Sequence, residues 1–232
     1  MIRRLLTIIA LLLLAYAFLP FITEFEGLEA VSEIAAHYLR LGPSELGAAN
    51  TVTAVVVTYR GFDTLGEIVV LFTASCGVAL LFGGSQNTGS SRKHGRAASE
   101  ILCSASCFLM PLMVLFGAYI FINGHLSPGG GFQGGVIIAS AYLLLFLSYP
   151  DYHVRHGILG FIESLSGATV FVLAVLGAVL AYGVLDPRFL PLGRYGSLFS
   201  AGLIPVIYSL VGFKVGSELT GVLDTMRIKE DK

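Results

Sequence analysis

Six stretches of the chain are apolar over lengths comparable to a bilayer crossing: Leu5–Ile22, Phe62–Phe82, Ile101–Ile122, Val136–Ser148, Ile158–Leu185 and Leu198–Val215. Spanning the hydrocarbon core takes roughly 20 mostly apolar residues as a helix, the form in which one segment satisfies its own backbone hydrogen bonds. The pattern therefore predicts an all-α polytopic membrane protein with about six transmembrane helices. The fourth stretch is long enough only if it takes in Gly134 and Gly135. The fifth has room to tilt or turn, and Pro111 predicts a kink in the third. Arg3, Arg4, the first apolar run and Ala15-Tyr16-Ala17 also fit a signal peptide, but the run continues through Phe18 to Ile22, which favours a retained helix. Leu28, Val31, Ile34, Ala35 and Tyr38 recur at helical spacing and predict an amphipathic surface helix after it.

The one hydrophilic stretch suited to a linker runs from Gly83 to Ala98 and is rich in Gly, Ser, Arg and Lys. It divides the chain into a two-helix unit over residues 1–85, a cytoplasmic linker over 86–98, a four-helix unit over 99–222 and a cytoplasmic tail over 223–232. No internal repeat relates the two units.

Composition strengthens the membrane reading. Of the 232 residues 55% are hydrophobic and only 12% charged, with a mean hydropathy of +0.82, whereas soluble domains carry about 25% charged residues. A net charge of -1 argues against a nucleic-acid partner. Cys76, Cys103 and Cys107 sit in apolar runs without metal-ligand spacing, so no metal site is expected. Arg3, Arg4, Arg92, Lys93, Arg96, Arg155, Lys214, Arg227, Lys229 and Lys232 fall on one side if six helices alternate. That bias places both termini in the cytoplasm.

Ionisable residues within or beside the apolar runs are the functional candidates, because a charge at mid-bilayer costs about 2.5 to 3.5 kcal/mol on insertion scales. Arg60, Asp63 and Glu67 form the densest set, and on a helix they share one face. They read either as a polar network able to hold a proton or a sodium ion, or as the wet end of the second helix. A single helix from Thr51 to Phe82 would be about 48 Å long, so Thr51–Tyr59 is expected to be a separate piece with Arg60 at the junction. Glu163, in the first turns of the fifth helix, fits either a transport role or the helix dipole. Lys214 and Glu218, four apart at the end of the sixth helix, read as a structural ion pair at the cytoplasmic edge. Glu100, His153 and His156 read as ordinary interface residues.

Between the third and fourth helices runs Asn123-Gly124-His125-Leu126-Ser127-Pro128-Gly129-Gly130-Gly131-Phe132-Gln133-Gly134-Gly135. It contains the spacing of a dinucleotide-binding loop, but a membrane helix precedes it where that motif needs a strand. Its glycines and Pro128 predict a tightly turning, non-helical backbone that is buried or faces water. His125 within it could relay protons.

Residues Gly124–Gly135 resemble the signature of the B subunit of Mrp-type sodium/proton antiporters. Residues Asn50–Glu67 resemble the C-terminal part of the A subunit of the same systems, so the chain looks like a fusion of the two, joined at the linker. Related subunits occur in archaeal membrane-bound hydrogenase and sulfur reductase complexes. The resemblance implies an accessory, multi-pass cell-membrane subunit that works with other antiporter subunits in sodium and proton exchange. In assemblies of the respiratory kind its partners would include hydrogenase-like or sulfur-reductase-like redox subunits. Its ion-handling candidates are Asp63, Glu67, His125 and Glu163. Arg60, Lys214 and Glu218 are their charge partners, and Gly124, Pro128, Gly129, Gly130, Gly131, Phe132, Gly134 and Gly135 form the signature loop. Two alternatives stand beside this reading: a purely structural subunit that holds the others together, and a subunit of a stand-alone antiporter. Nothing in the sequence points to a bound cofactor, and a redox centre within this chain ranks last.

Overall fold

The computed structural model describes residues 2–23, 31–83, 98–152, 154–181 and 183–230. Most of the linker expected over 86–98, and Leu28 of the expected amphipathic helix, lie outside them. By contacts the chain divides into two compact units, Met1–His37 and Tyr38–Lys232.

The first unit carries α1, Ile2–Thr23, which contains the apolar run Arg4–Pro20. It also holds the beginning of α2, Glu33–Leu46, which Ser32 caps by accepting from Ala35 N at 3.3 Å. Helix α2 takes in Ile34, Ala35 and Tyr38, whereas Val31 precedes it.

The second unit continues α2 into α3, Thr51–Ala54, which runs directly into a π-helical turn, Val55–Tyr59. Arg60 breaks the run with φ -118 and ψ 33, and α4, Gly61–Gly83, starts afresh. The wider π turn loosens the hydrogen-bond ladder, and Thr64 Oγ1 answers the Val56 carbonyl at 2.7 Å. The remaining helices are α5, Glu100–Ile122, α6, Gly131–Ser148, α7, His156–Leu180, and α8, Ile204–Glu230. A short 3-10 turn at Pro187–Phe189 lies between α7 and α8.

Five helical segments are long and apolar enough to cross a membrane: Gly61–Phe82, Glu100–Ile122, Gly131–Ser148, His156–Leu180 and Ile204–Arg227. With the shorter apolar run in α1 they account for the six expected stretches.

Three boundaries differ from the sequence expectation. Helix α6 begins at Gly131, so the turning backbone is confined to 123–130 and the last glycines are helical. Helix α7 ends at Leu180 rather than Leu185, and α8 begins at Ile204 rather than Leu198. The segment between them is a loop with left-handed residues at Leu185, Gly193, Gly196, Ala201 and Gly202. Apolar side chains at its two ends, Leu185 and Leu203, are nonetheless buried, and hydropathy alone carried the fifth stretch to Leu185 and began the sixth at Leu198. Helix α5 is continuous through Pro111.

Helix α8 is the hub, packing against α4, α5, α6 and α7. Its contact with α6, and that of α6 with α5, is glycine-mediated. A Cβ on Gly135 would lie 2.8 Å from the Gly212 carbonyl oxygen, and one on Gly134 would lie 2.6 Å from that of Gly117. Small residues let helix backbones approach closely where no hydrophobic effect drives helices together. The last glycines of the signature are therefore packing positions.

Candidate functional site: a clasped loop and charges within the helices

The signature loop is held by Asn50 and Thr53 and packs against Tyr208 of α8. Asn50 uses all four of its hydrogen-bonding valences. Its Oδ1 caps α3 by accepting from Val52 N at 3.1 Å and Thr53 N at 3.4 Å, and its Nδ2 donates to the carbonyls of Gly124 at 2.9 Å and Ser127 at 3.0 Å. Its backbone N–H donates to the His125 carbonyl at 3.0 Å. Thr53 Oγ1 adds a 2.6 Å bond to the Gly124 carbonyl and itself accepts from the Tyr208 hydroxyl of α8 at 3.2 Å. A Cβ on Gly124 would sit 2.5 Å from the Tyr208 ring, so this glycine is needed for the loop to wrap that ring.

Within the loop Pro128 is exposed, Gly129 and Phe132 are half-buried, and Gly124, Gly130 and Gly131 are buried. His125 is fully buried. Its Nε2 lies 3.4 Å from the Ser197 carbonyl, and its Nδ1 has no hydrogen-bond partner among the described residues. Burial pushes the imidazole below its ordinary pKa, against the pull of the Ser197 carbonyl.

The acidic set at the start of α4 is divided. Arg60 pairs with Asp63, and both are exposed. Glu67, one turn further into the membrane-spanning segment, is also exposed and makes no hydrogen bond or ion pair with the described residues. Of the two readings of the spacing, the three-residue network is not formed: Arg60 and Asp63 pair, and Glu67 stands apart from them, with its charge acting on Tyr208.

Glu163, far in sequence from the neighbouring pair Lys214 and Glu218, meets them where α7 packs on α8. Lys214 Nζ is 2.9 Å from Glu218 Oε2 and 4.0 Å from Glu163 Oε1. It also stands 5.4 Å from the centre of the Phe72 ring on α4. Lys214 and Glu218 are 5% and 1% exposed, so they lie in the bundle interior. The cytoplasmic-edge placement is corrected because α8 continues to Glu230, well past both residues. Lys214 is accordingly not a loop charge.

Nearer the end of α8, buried Asp224 takes His156 Nε2 at 3.0 Å and Arg227 at 2.8 Å. Arg227 also donates to the Pro150 and Tyr152 carbonyls and lies over the Phe146 ring. That cluster ties the turn between α6 and α7 to α8. Among the described residues no group of three or more His, Cys, Asp or Glu is placed to hold a metal ion.

Asn50, Thr53 and Tyr208 went unassigned by sequence reasoning. An Asn directly before an apolar helical run is a capping signal and could have marked Asn50. Nothing distinguishes Tyr208 from other tyrosines in apolar runs.

Residues 101–221, just over half of the chain, match the family described as "Domain related to MnhB subunit of Na+/H+ antiporter". The chain belongs to this MnhB-related family. Residues 4–86 of the MnhB-related chain match a second family, described as the E subunit of MBH. A probable K+/H+ antiporter A/B subunit of Rhizobium meliloti (strain 1021) is 30% identical over 137 residues, covering 50% of this chain and 14% of that protein. Among solved structures, a chain of the membrane-bound sulfane sulfur reductase, an archaeal respiratory membrane complex, is 38% identical. It has a TM-score of 0.81, with 97% of this chain and 98% of that one covered. A chain of the Mrp complex from Dietzia sp. DQ12-45-1b shares the fold at 22% identity and a TM-score of 0.77, covering 97% of this chain and 26% of that one. The MnhB-related chain is a multi-pass membrane protein of antiporter-subunit type.

Proposed function

We propose that this chain is a membrane subunit of an Mrp-type sodium/proton antiporter module within a multisubunit respiratory complex of the hydrogenase or sulfur-reductase kind. It contributes to ion translocation there, with Asp63, Glu67, His125 and Glu163 as the groups that handle protons or sodium. The observation that carries the reading is Glu67. A carboxylate exposed on a membrane-spanning helix, with no hydrogen bond or ion pair among the described residues, would be poorly solvated in hydrocarbon if the chain worked alone, at a cost of several kcal/mol. Helix α4 packs on α8 but is otherwise little covered by the described residues of its own unit, so a partner subunit covering it would give Glu67 a polar setting. The high overall similarity to a chain of an archaeal respiratory complex supports the same assembly. Both termini are placed in the cytoplasm by the distribution of Lys and Arg.

The test is Glu67→Gln, which keeps size and hydrogen bonding and removes the titratable group. Sodium/proton exchange by the purified assembly in proteoliposomes should be lost while all subunits still copurify. Loss of copurification, or full exchange by the variant, would overturn the ion-handling role and leave a scaffolding subunit.

A further inference from the structure

The Glu163, Lys214 and Glu218 cluster carries two carboxylates and one ammonium. Fully ionised, it would hold one excess negative charge inside a helical bundle. The Glu218 side chain is wholly buried, and its Oε1 has no hydrogen-bond partner among the described residues. Glu163 is 25% exposed and approaches the ammonium only to 4.0 Å. Among the described residues no second cation answers the excess charge: Lys214 is already against Glu218, and its ammonium also lies over the Phe72 ring. The Lys214 stem lies against α7 at Gly167, where a Cβ would come within 3.3 Å of it. Its ammonium is therefore positioned between the two acids.

We propose that Glu163 and Glu218 share one proton across Lys214, making this triad a proton-binding site within the membrane. Two carboxylates in one desolvated site do not both stay ionised when only one cation serves them. In the structure the proton sits on Oε1 of Glu218, which is buried without a partner among the described residues, while Oε2 accepts from Lys214 and the ammonium balances Glu163. Transfer to Glu163 breaks that O–H bond and forms one on the Glu163 carboxylate, the acid that is 25% exposed and from which the proton exchanges with water. One proton and no net charge are held in either arrangement. A sodium ion fits the triad less well, because an ammonium 2.9 Å from one of the two acids would repel it. The proposal rests on the chain lying in a membrane, as the family shows, and deepens the ion-handling reading by assigning Glu163 a proton.

Infrared difference spectroscopy on the purified assembly in lipid nanodiscs tests it. The wild type should show a protonated-carboxyl band at neutral pH that is insensitive to sodium. The band should be lost in Glu163→Gln and equally in Glu218→Gln, since either substitution leaves one carboxylate balanced by one ammonium. In Lys214→Met it should double, both acids then being protonated. Glu163→Gln preserves the Lys214 and Glu218 pair and is the variant on which the outcome rests if the others fail to assemble. A band that survives Glu163→Gln, or is absent from wild type, overturns the proposal. Exchange activity is recorded separately: a band that behaves as expected while Glu67→Gln retains exchange would sink the ion-handling role of Glu67 and leave the shared proton standing.

Discussion

The Asn50 side chain separates two contributions that most residues combine, and substitutions can divide them. Its acceptor half caps α3 and its donor half holds the signature loop. Asn50→Ser keeps an acceptor for the cap and loses both donated bonds. Each bond is worth about 1 kcal/mol net, so the clasp on the loop weakens by about 2 kcal/mol. The Gly124 carbonyl keeps its bond from Thr53, so the greater part of the loss falls at the Ser127 carbonyl. Asn50→Ala loses the same two bonds and about 1 kcal/mol of capping besides. Asn50→Asp keeps the cap but sets a carboxylate against two carbonyl oxygens, so its loop should open most of all. Hydrogen exchange by the assembly at pH 8 reads the two halves apart, because exchange tracks the local opening equilibrium. About 2 kcal/mol corresponds to roughly 30-fold faster exchange of the 123–130 segment. That acceleration is expected in the Ser and Ala variants and should be exceeded in the Asp variant. Amides of α3 should lose protection only in the Ala variant. A loop unaffected by Asn50→Asp, or loop and α3 losing protection together in all three variants, would refute the division.

Two further outcomes are expected. Burial lowers the His125 pKa in the folded chain, so the unfolded chain binds the proton more tightly and stability rises with pH. The contribution is complete above the ordinary value of about 6.5 and is lost as pH falls below it. Protection of the 123–130 segment, corrected for intrinsic exchange, should thus fall on acidification from about pH 7.5 to 5.5 in wild type and remain constant in His125→Gln. For topology, single cysteines at Ser90 and Ser127 in a background without Cys76, Cys103 and Cys107 should label from opposite sides, Ser90 from the cytoplasm. Labelling of both from one side would break the alternation of six helices.

The helical class and most spans were legible because membrane helices announce themselves by apolar length. Legibility failed where that signal and helicity part company. Residues 183–203 form a loop that carries apolar side chains, some buried like Leu185 and some exposed like Leu198, so hydropathy read its two ends as helical. Gly131 was read as a turn residue, and Gly134 and Gly135 as either turn or helix start, because glycine favours turns in water. Between helices the same residue serves close packing, and only the contacts of Gly134 with Gly117 and of Gly135 with Gly212 distinguish the two uses. The break at Arg60 was legible for a different reason: a helix from Thr51 to Phe82 exceeds the bilayer thickness.

Charges were hardest to place, and the cause lies in how α8 is packed. Hydropathy reasoning moves charged residues toward water, so Lys214 and Glu218 were assigned to a helix end. Of the five long spans, Ile204–Arg227 is the least apolar and also the most buried, whereas Gly61–Phe82 is strongly apolar and almost uncovered. The inversion is physical. A helix facing lipid must be apolar all round, but one surrounded by other helices can carry Lys214, Glu218 and Asp224, because Glu163, His156 and Arg227 are supplied to them by α7 and by α8 itself. Low hydropathy in a span marks the centre of such a bundle. In this chain the same logic makes Glu67 the exception, since it is an exposed acid on the least buried of the five spans and makes no hydrogen bond or ion pair among the described residues.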